Sequence, residues 1–208
     1  MAAEHADDDD VSAGHATALR RVVLAVAALN LAYFAVEFAM ALTIGSVSLF
    51  ADSVDFLEDA SVNILIAVAI GWSARRRAQL GMGLALILLA PALAGLWTAW
   101  QKLAMPVPPA PWPLTLTGAG ALLVNTVCAL TLARVRHRHG SLTKAAFLSA
   151  RNDVLANIAI IAAGVVTATL WPSIWPDLLV GLAIAAMNAD AAREVWEAAH
   201  GEAKAARG

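Results

Sequence analysis

The chain has 208 residues, of which 60% are hydrophobic and only 14% are charged. A soluble domain of this length carries roughly 25% charged residues, so the composition indicates a membrane protein. The single cysteine excludes a disulfide scaffold. A formal net charge of −2 gives no reason to expect nucleic acid as a partner.

Six apolar segments are separated by charged residues and prolines, and each is long enough to cross the ~30 Å hydrocarbon layer as a helix. They cover 22–44, 49–72, 80–103, 114–132, 145–170 and 178–195. We therefore predict an all-α membrane protein with six transmembrane helices over residues 18–198. An acidic disordered tail (1–17) precedes this domain, and a short cytoplasmic tail (199–208) follows it.

Basic residues predict the orientation. Twelve of the 14 Lys and Arg residues lie before segment one, at or beyond the end of segment six, or in the loops that follow segments two and four. Lys102, at the end of segment three, is the one basic residue on the opposite side. Because basic loops stay in the cytoplasm, we predict a multi-pass protein of the cell membrane with both termini cytoplasmic. Small size and composition favour a bacterial inner membrane.

Polar stripes run along three of the predicted helices. Ionisable groups are costly within a membrane span, so each is a candidate functional residue. At helical spacing, one face of each helix collects polar residues: Asn30 and Glu37 in segment one, Asp52, Asp55, Asp59 and Asn63 in segment two, and Ser149, Asp153 and Asn157 in segment five. We expect segments one, two and five to surround a polar cavity.

Converging carboxylates favour exchange of a cation for protons. Two of them about 6 Å apart repel by roughly 3 kcal/mol at an effective dielectric of about 20, so an empty site is expected to hold protons. A divalent cation replaces the repulsion with attraction and displaces those protons. Carboxylate oxygens suit ions such as Mn, Zn, Fe or Co.

The alternative is that the acids have only a structural role, with Asp55 and Asp59 paired to Arg151. This pairing would leave most acids of segment two without a counter-charge.

Four stretches of the sequence resemble the cation diffusion facilitator family, in the same order. The second-helix signature of that family is similar to GSVSLFADSVDFLEDASVN (45–63). Its fourth, fifth and sixth helices are similar to GALLVNTVCALTL, AAFLSARNDVLANIAIIAAG and WPSIWPDLLVGLAIA. The resemblance implies a six-helix bundle that exports divalent metals of the Zn/Mn/Fe/Co/Cd class by metal/proton antiport with alternating access. The metal is then a substrate, and neither a cofactor nor an enzymatic activity is expected.

The resemblance also implies a ligand set, two residues from helix two and two from helix five. Asp55 and Asp59 match the first pair, and Asp153 matches the second helix-five ligand. Ser149 takes the other helix-five position, which is usually His or Asp. A hydroxyl is a weak ligand, so a water or Asn152 is a candidate to complete the site, and the loss of an imidazole favours a harder ion than zinc.

Further residues are given supporting roles. Asp52 and Glu37 are candidates for relay or gate acids, and a shifted register would pair Asp153 with Asn157 instead. Asp177, at the start of segment six, is attributed to charge stabilisation at a helix end.

Family members commonly carry a cytoplasmic metal-sensing domain, whereas only about a dozen residues follow segment six here. We therefore expect a short form without that domain, in which any homodimer forms through membrane helices.

Two other functions fit intramembrane acids. A proton-coupled exporter of organic cations would use them too, but it is expected to surround them with aromatic side chains. An intramembrane aspartyl protease would pair Asp55 or Asp59 with Asp153, and such enzymes resemble one another in a Gly-x-Gly-Asp element. Here Asp153 follows Ala150, Arg151 and Asn152, which lacks both glycines.

Overall fold

The computed structural model describes residues 2–69, 93–136 and 140–187. Within these ranges the regular structure is entirely helical, as predicted. The helices are α1 (Ala2–Ile44), α2 (Val47–Ala69), α3 (93–104), α4 (Pro111–Arg136), α5 (Gly140–Thr169) and α6 (Trp175–Met187).

Two helices of the described part are long and apolar enough to span a membrane, Arg20–Ile44 within α1 and Pro111–Ala133 within α4. The apolar stretches Asp153–Thr169 and Trp175–Met187 are shorter. Helix α2 is of similar length but carries four carboxyl residues, which lower its hydropathy. The predicted second and third spans continue into 70–92, outside the described residues. The number of six spans and the cytoplasmic termini therefore stay predictions.

Helix α1 begins earlier than the sequence pattern suggested. It extends back to Ala2, through the stretch that we predicted to be a disordered tail, so the structure differs from that prediction. The stretch is rich in alanine, the strongest helix former. Its acidic residues precede the apolar part of the helix, on the side of the positive end of the helix dipole.

Several polar and charged side chains lie inside the bundle, while many large apolar side chains lie on its outer surface. Asn30, Glu37 and Asp52 are 0% exposed, whereas Leu116 and Leu123 on α4 are 71% and 66% exposed. A soluble protein buries its large apolar residues and exposes its charged ones. The reversed distribution is the one expected where lipid, rather than water, covers the surface.

Four helices close into a ring. Helix α1 packs against α2 and α4, α4 packs against α5, and α5 contacts α2. Segments one, two and five were predicted to surround the interior, and α4 is the fourth wall that this prediction omitted. Small residues bring α4 and α5 close together. A Cβ added to Gly118 would lie 2.9 Å from Ile160 Cγ2, and one added to Gly164 would lie 3.0 Å from the Pro111 carbonyl oxygen.

A tight turn joins α1 to α2. Gly45 has a φ of +62°, a conformation that favours glycine, and the Ser46 amide donates to the Ala41 carbonyl at 3.1 Å. The Ser46 hydroxyl in turn accepts the Leu49 amide at 3.1 Å and so caps the start of α2. We call this end of the bundle, where α4 and α6 also begin, the Gly45 end.

An apolar cluster fills the bundle toward the Gly45 end. It draws residues from five helices, and its buried members are Ala41, Leu49, Phe50, Leu114, Ala156, Ile160 and Ile184. Phe50 also packs edge-on against Phe38 of α1, with ring centroids 5.5 Å apart. Helix α6 approaches this region closely, because a Cβ on Gly181 would lie 2.7 Å from the Val47 carbonyl carbon.

Candidate cation site

The acidic face of α2 is formed as the spacing predicted. Asp52 is fully buried, Asp55 and Asp59 are half-buried, and Glu58 is exposed on another face. With a rise of about 1.5 Å per residue, Asp52 and Asp59 lie about 10 Å apart along the helix axis. The carboxyl groups therefore form a ladder down one side of α2, with Asp52 nearest the Gly45 end.

Helix α5 brings Asp153 to this ladder. The Asp153 carboxyl, half-buried, is close enough to Asp59 for a direct electrostatic interaction, and Asp55 interacts with Asp153 in the same way. The three acids predicted as ligands thus interact electrostatically between two helices that are in contact. Among the described residues, no three His, Cys, Asp or Glu side chains are grouped closely enough to hold a metal ion.

The remaining predicted ligands are only partly described. Ser149 and Asn152 lie within α5, which places Ser149 one turn before Asp153 on the same face. Their side chains lie outside the described part of the structure, so their contribution to the site stays a prediction.

Asn63 and Asn157 each lie four residues after one of the predicted ligands, Asp59 or Asp153. Asn63 Nδ2 donates to the Asp59 carbonyl at 2.7 Å, and Asn157 Nδ2 donates to the Asp153 carbonyl at 2.7 Å. Both side chains are buried, and their Oδ1 atoms have no donor among the described residues. Each helix therefore offers a neutral oxygen one turn beyond its acid. The shared i, i+4 spacing holds these amides to their own helices.

Glu37 of α1 lies against Asp52. Both residues are 0% exposed, and their carboxyl groups are close enough to interact electrostatically. Neither group has a donor among the described residues. The two acids predicted as relay or gate residues thus form one pair, next to Asp55 on the ladder.

Helix α4 contributes polar contacts that the sequence did not reveal. The Tyr33 hydroxyl donates to the Thr117 carbonyl at 2.6 Å, and the Cys128 thiol donates to Asn30 Oδ1 at 3.3 Å. These bonds join α1 to α4 on the interior side of the ring. Asn125, in the same helix, is also buried.

The acids of α1, α2 and α5 thus face the interior of the helix bundle. A comparison of the sequence with known families indicates the function of this bundle. The family model described as "Cation efflux transmembrane domain" matches residues 23–199. The chain belongs to this family. Its members are transporters, so the protein is a cation efflux transporter of the membrane and not an intramembrane protease. A comparison with curated proteins found no match.

In this cation efflux protein, Asp177 holds the Gly45 end together. It lies at the start of α6 as predicted, but its carboxylate serves the start of α2. Asp177 Oδ2 accepts the Val47 amide at 2.9 Å, and Oδ1 accepts the Ser48 amide at 3.2 Å and the Ser46 and Ser48 hydroxyls at 2.6 and 2.7 Å. Lys102 Nζ of α3 completes the cluster 3.4 Å from Oδ2.

The sequence analysis did not predict this cluster, although two features of the sequence could have indicated it. Ser46 and Ser48 stand where an N-cap is expected, just before an apolar helix. Lys102, near the end of α3, is the one basic residue on the side opposite the basic loops, so its burial requires an acid from the same side. Asp177 is the described acid at that end of the bundle, and both residues are buried.

Proposed function

We propose that the protein exports a divalent transition-metal cation in exchange for protons, with Asp55, Asp59 and Asp153 as the ligands. The observation that carries the proposal is the electrostatic interaction of Asp153 on α5 with Asp55 and Asp59 on α2, inside a cation efflux domain. Their mutual repulsion is relieved either by protons or by a divalent cation. The two occupants therefore compete for one place, which is what antiport requires.

Oxygen ligands favour a hard or borderline ion. The candidate donors are carboxylates, the amide oxygens of Asn63 and Asn157, and Ser149 or Asn152 from α5. We infer that Mn²⁺, Fe²⁺ or Co²⁺ suits this set better than Zn²⁺, which more often takes His or Cys ligands. Binding would have to draw the carboxyl groups closer together, because the described residues form no closed set of three.

The burial pattern supports a pathway that is closed toward the Gly45 end. Asp55, Asp59 and Asp153 are half-buried, whereas the apolar cluster toward the Gly45 end is tightly packed. If the Gly45 end faces outward, as the basic loops predict, this conformation admits the cation from the cytoplasm. Opening of the cluster would then release it outside the cell, which for the predicted inner-membrane protein is the periplasm. A homodimer formed through membrane helices is compatible with this scheme.

The second candidate substrate is an organic cation. Aromatic side chains do lie on the α1–α2 seam, where Tyr33 and Phe56 have ring centroids 5.1 Å apart. Competition separates the substrates, because a drug that uses the acids would displace Mn²⁺ from the purified protein.

The decisive test is transport by the Asp59→Asn protein in proteoliposomes. We expect wild-type vesicles to take up Mn²⁺ and release protons, and the variant to lose both. Glu58→Gln is the matched control, since Glu58 is the adjacent acid on the exposed face of the same helix. Unchanged antiport by Asp59→Asn, with the folded protein verified by size-exclusion chromatography, would refute the ligand assignment.

A further inference from the structure

Two buried asparagine amides, one on each helix of the candidate cation site, leave an oxygen without a hydrogen bond. Asn63 on α2 is 5% exposed and Asn157 on α5 is 0% exposed. Each Nδ2 donates at 2.7 Å to the carbonyl four residues earlier in its own helix, that of Asp59 or Asp153. Each Oδ1 has no hydrogen-bond partner among the described residues. Because a backbone carbonyl can only accept, these bonds also decide which end of each amide is the free oxygen.

The needs of the two helices do not explain these amides. A carbonyl in a helix interior already accepts the backbone amide four residues later, so the side chain adds only a second bond to it. A buried polar oxygen without a donor is unfavourable, and asparagine is a weaker helix former than leucine. The same arrangement on both helices of the candidate site therefore indicates a ligand that binds these oxygens.

The hydrogen bonds hold both amides beside the proposed ligands. Residues four apart in a helix share a face, with Cβ atoms about 5–6 Å apart. A bond to the carbonyl of the earlier residue directs the amide toward that residue, so Asn157 is directed toward Asp153 and Asn63 toward Asp59. An amide oxygen is a neutral, hard donor of the kind that oxygen-preferring divalent cations bind.

Helices α2 and α5 run in opposite directions. Helix α2 begins at the Gly45 end, whereas α5 finishes near it, since a Cβ added to Gly164 would lie 3.0 Å from the Pro111 carbonyl oxygen at the start of α4. Four residues span about 6 Å of helix, so Asn63 lies farther from the Gly45 end than its acid by that distance, and Asn157 lies nearer to it than its acid. A cation held between the acids would therefore have one amide oxygen toward each end of the bundle.

We propose that Asn63 and Asn157 bind the transported cation through their Oδ1 atoms and set its preference for Mn²⁺ over Zn²⁺. The inference rests on the proposed function, in which carboxylates from α2 and α5 hold that cation. Zinc favours about four ligands in a tetrahedron, whereas Mn²⁺ favours an octahedron of about six oxygens. The described acids form no closed group of three by themselves. Two amide oxygens raise the number of protein donors toward six without adding charge.

The test compares Mn²⁺ and Zn²⁺ affinities of the purified full-length protein, by isothermal titration with MnCl₂ and ZnCl₂. Asn63→Leu and Asn157→Leu each remove the oxygen at similar side-chain size, and Asn157→Asp keeps an oxygen there. Thr167→Val is the matched control. Its buried Oγ1 also lacks a partner among the described residues, but it lies ten residues farther along α5 than Asn157, about 15 Å away.

We expect each leucine variant to bind Mn²⁺ about tenfold more weakly or worse, while its Zn²⁺ affinity changes by less than about threefold. Asn157→Asp should bind Mn²⁺ at least as tightly as Asn157→Leu does and close to wild type. Thr167→Val should match wild type for both ions. The loss is selective because only the ion with the higher coordination number needs the amide oxygens.

Thermal unfolding separates a ligand from a structural residue. Without metal, each leucine variant should unfold at the wild-type temperature or above it, because the lost oxygen had no donor among the described residues. With MnCl₂, the rise in Tm should be smaller than in wild type, since the rise follows the affinity. A structural role predicts the reverse, a lower Tm without metal and an unchanged ratio of the two affinities.

The inference is overturned if both leucine variants keep the wild-type ratio, if Thr167→Val lowers Mn²⁺ affinity as much as they do, or if neither leucine variant folds. Because Asn63 and Asn157 lie on different helices, the variant that folds decides when the other does not. In each of these cases wild type still binds Mn²⁺, so the proposed function stands. Wild-type protein that binds neither ion would refute the proposed function, and the inference with it.

Discussion

Asp177 Oδ1 accepts a 2.6 Å hydrogen bond from the Ser46 hydroxyl, across 131 residues of sequence. The same carboxylate accepts the first two amides of α2, while the Ser46 hydroxyl accepts the third. The free amides at a helix start carry a partial positive charge, so a buried carboxylate there is well stabilised. This cluster fixes the position of α2 along the bundle axis. It therefore also fixes the height at which each acid of the ladder lies in the bundle.

Loss of the Asp177 charge should destabilise the protein more than loss of the Lys102 charge. Asp177→Asn leaves Lys102 buried without a described counter-ion, and we expect a cost of about 3 kcal/mol. Lys102→Met leaves Asp177 with four other donors, and we expect a cost of about 1 kcal/mol. Thermal unfolding in detergent measures both, and the double variant gives the coupling energy. Equal losses from the two single variants would contradict this account.

Gly120→Ala should destabilise the contact between α1 and α4. In an ordinary helix interior this substitution stabilises by about 1 kcal/mol. Here the added Cβ would collide with the Tyr33 hydroxyl, which is bonded to the Thr117 carbonyl. We therefore expect the opposite sign in thermal unfolding. The double variant with Tyr33→Phe should recover part of the loss, because the colliding oxygen is absent; no recovery would mean that the clash lies elsewhere.

The acidic face of α2 could be predicted from sequence because helical periodicity converts spacing into direction. Asp52, Asp55 and Asp59 share a face, and Glu58 lies on another, as the structure confirms. The family relationship could also be predicted, since its signature is local to α2. Both predictions depend on residues a few positions apart.

The tertiary contacts of α4 and α6 could not be predicted in the same way. Tyr33 reaches a backbone carbonyl 84 residues away, and every residue carries such an acceptor, so no side-chain pattern marks Thr117. Asp177 was correctly placed at a helix start, but its own sequence neighbours do not reveal that it caps a different helix. Such contacts depend on how the helices pack, which spacing within one helix does not determine.

Ser149→His should shift the ion preference toward zinc. Ser149 lies one turn before Asp153 in α5, where an imidazole would add a nitrogen ligand that Zn²⁺ favours over Mn²⁺. We expect the ratio of Zn²⁺ to Mn²⁺ affinity to rise about tenfold or more, measured by competition in isothermal titration. Ser141→His, two turns nearer the start of the same helix, is the matched control. A ratio that changes equally in both variants would place Ser149 outside the site.

Cation affinity should rise with pH. Each proton that the cation displaces increases the apparent binding constant about tenfold per pH unit, over the range in which the empty site is protonated. Mn²⁺ titrations at several pH values should therefore give a positive slope between about one and two in logarithmic units, whereas Asp59→Asn should bind weakly with a smaller slope. The sign follows from competition, because acid conditions favour the proton-loaded form. Affinity that is independent of pH would show that the carboxyl groups hold no exchangeable protons, and it would rule out antiport at this site.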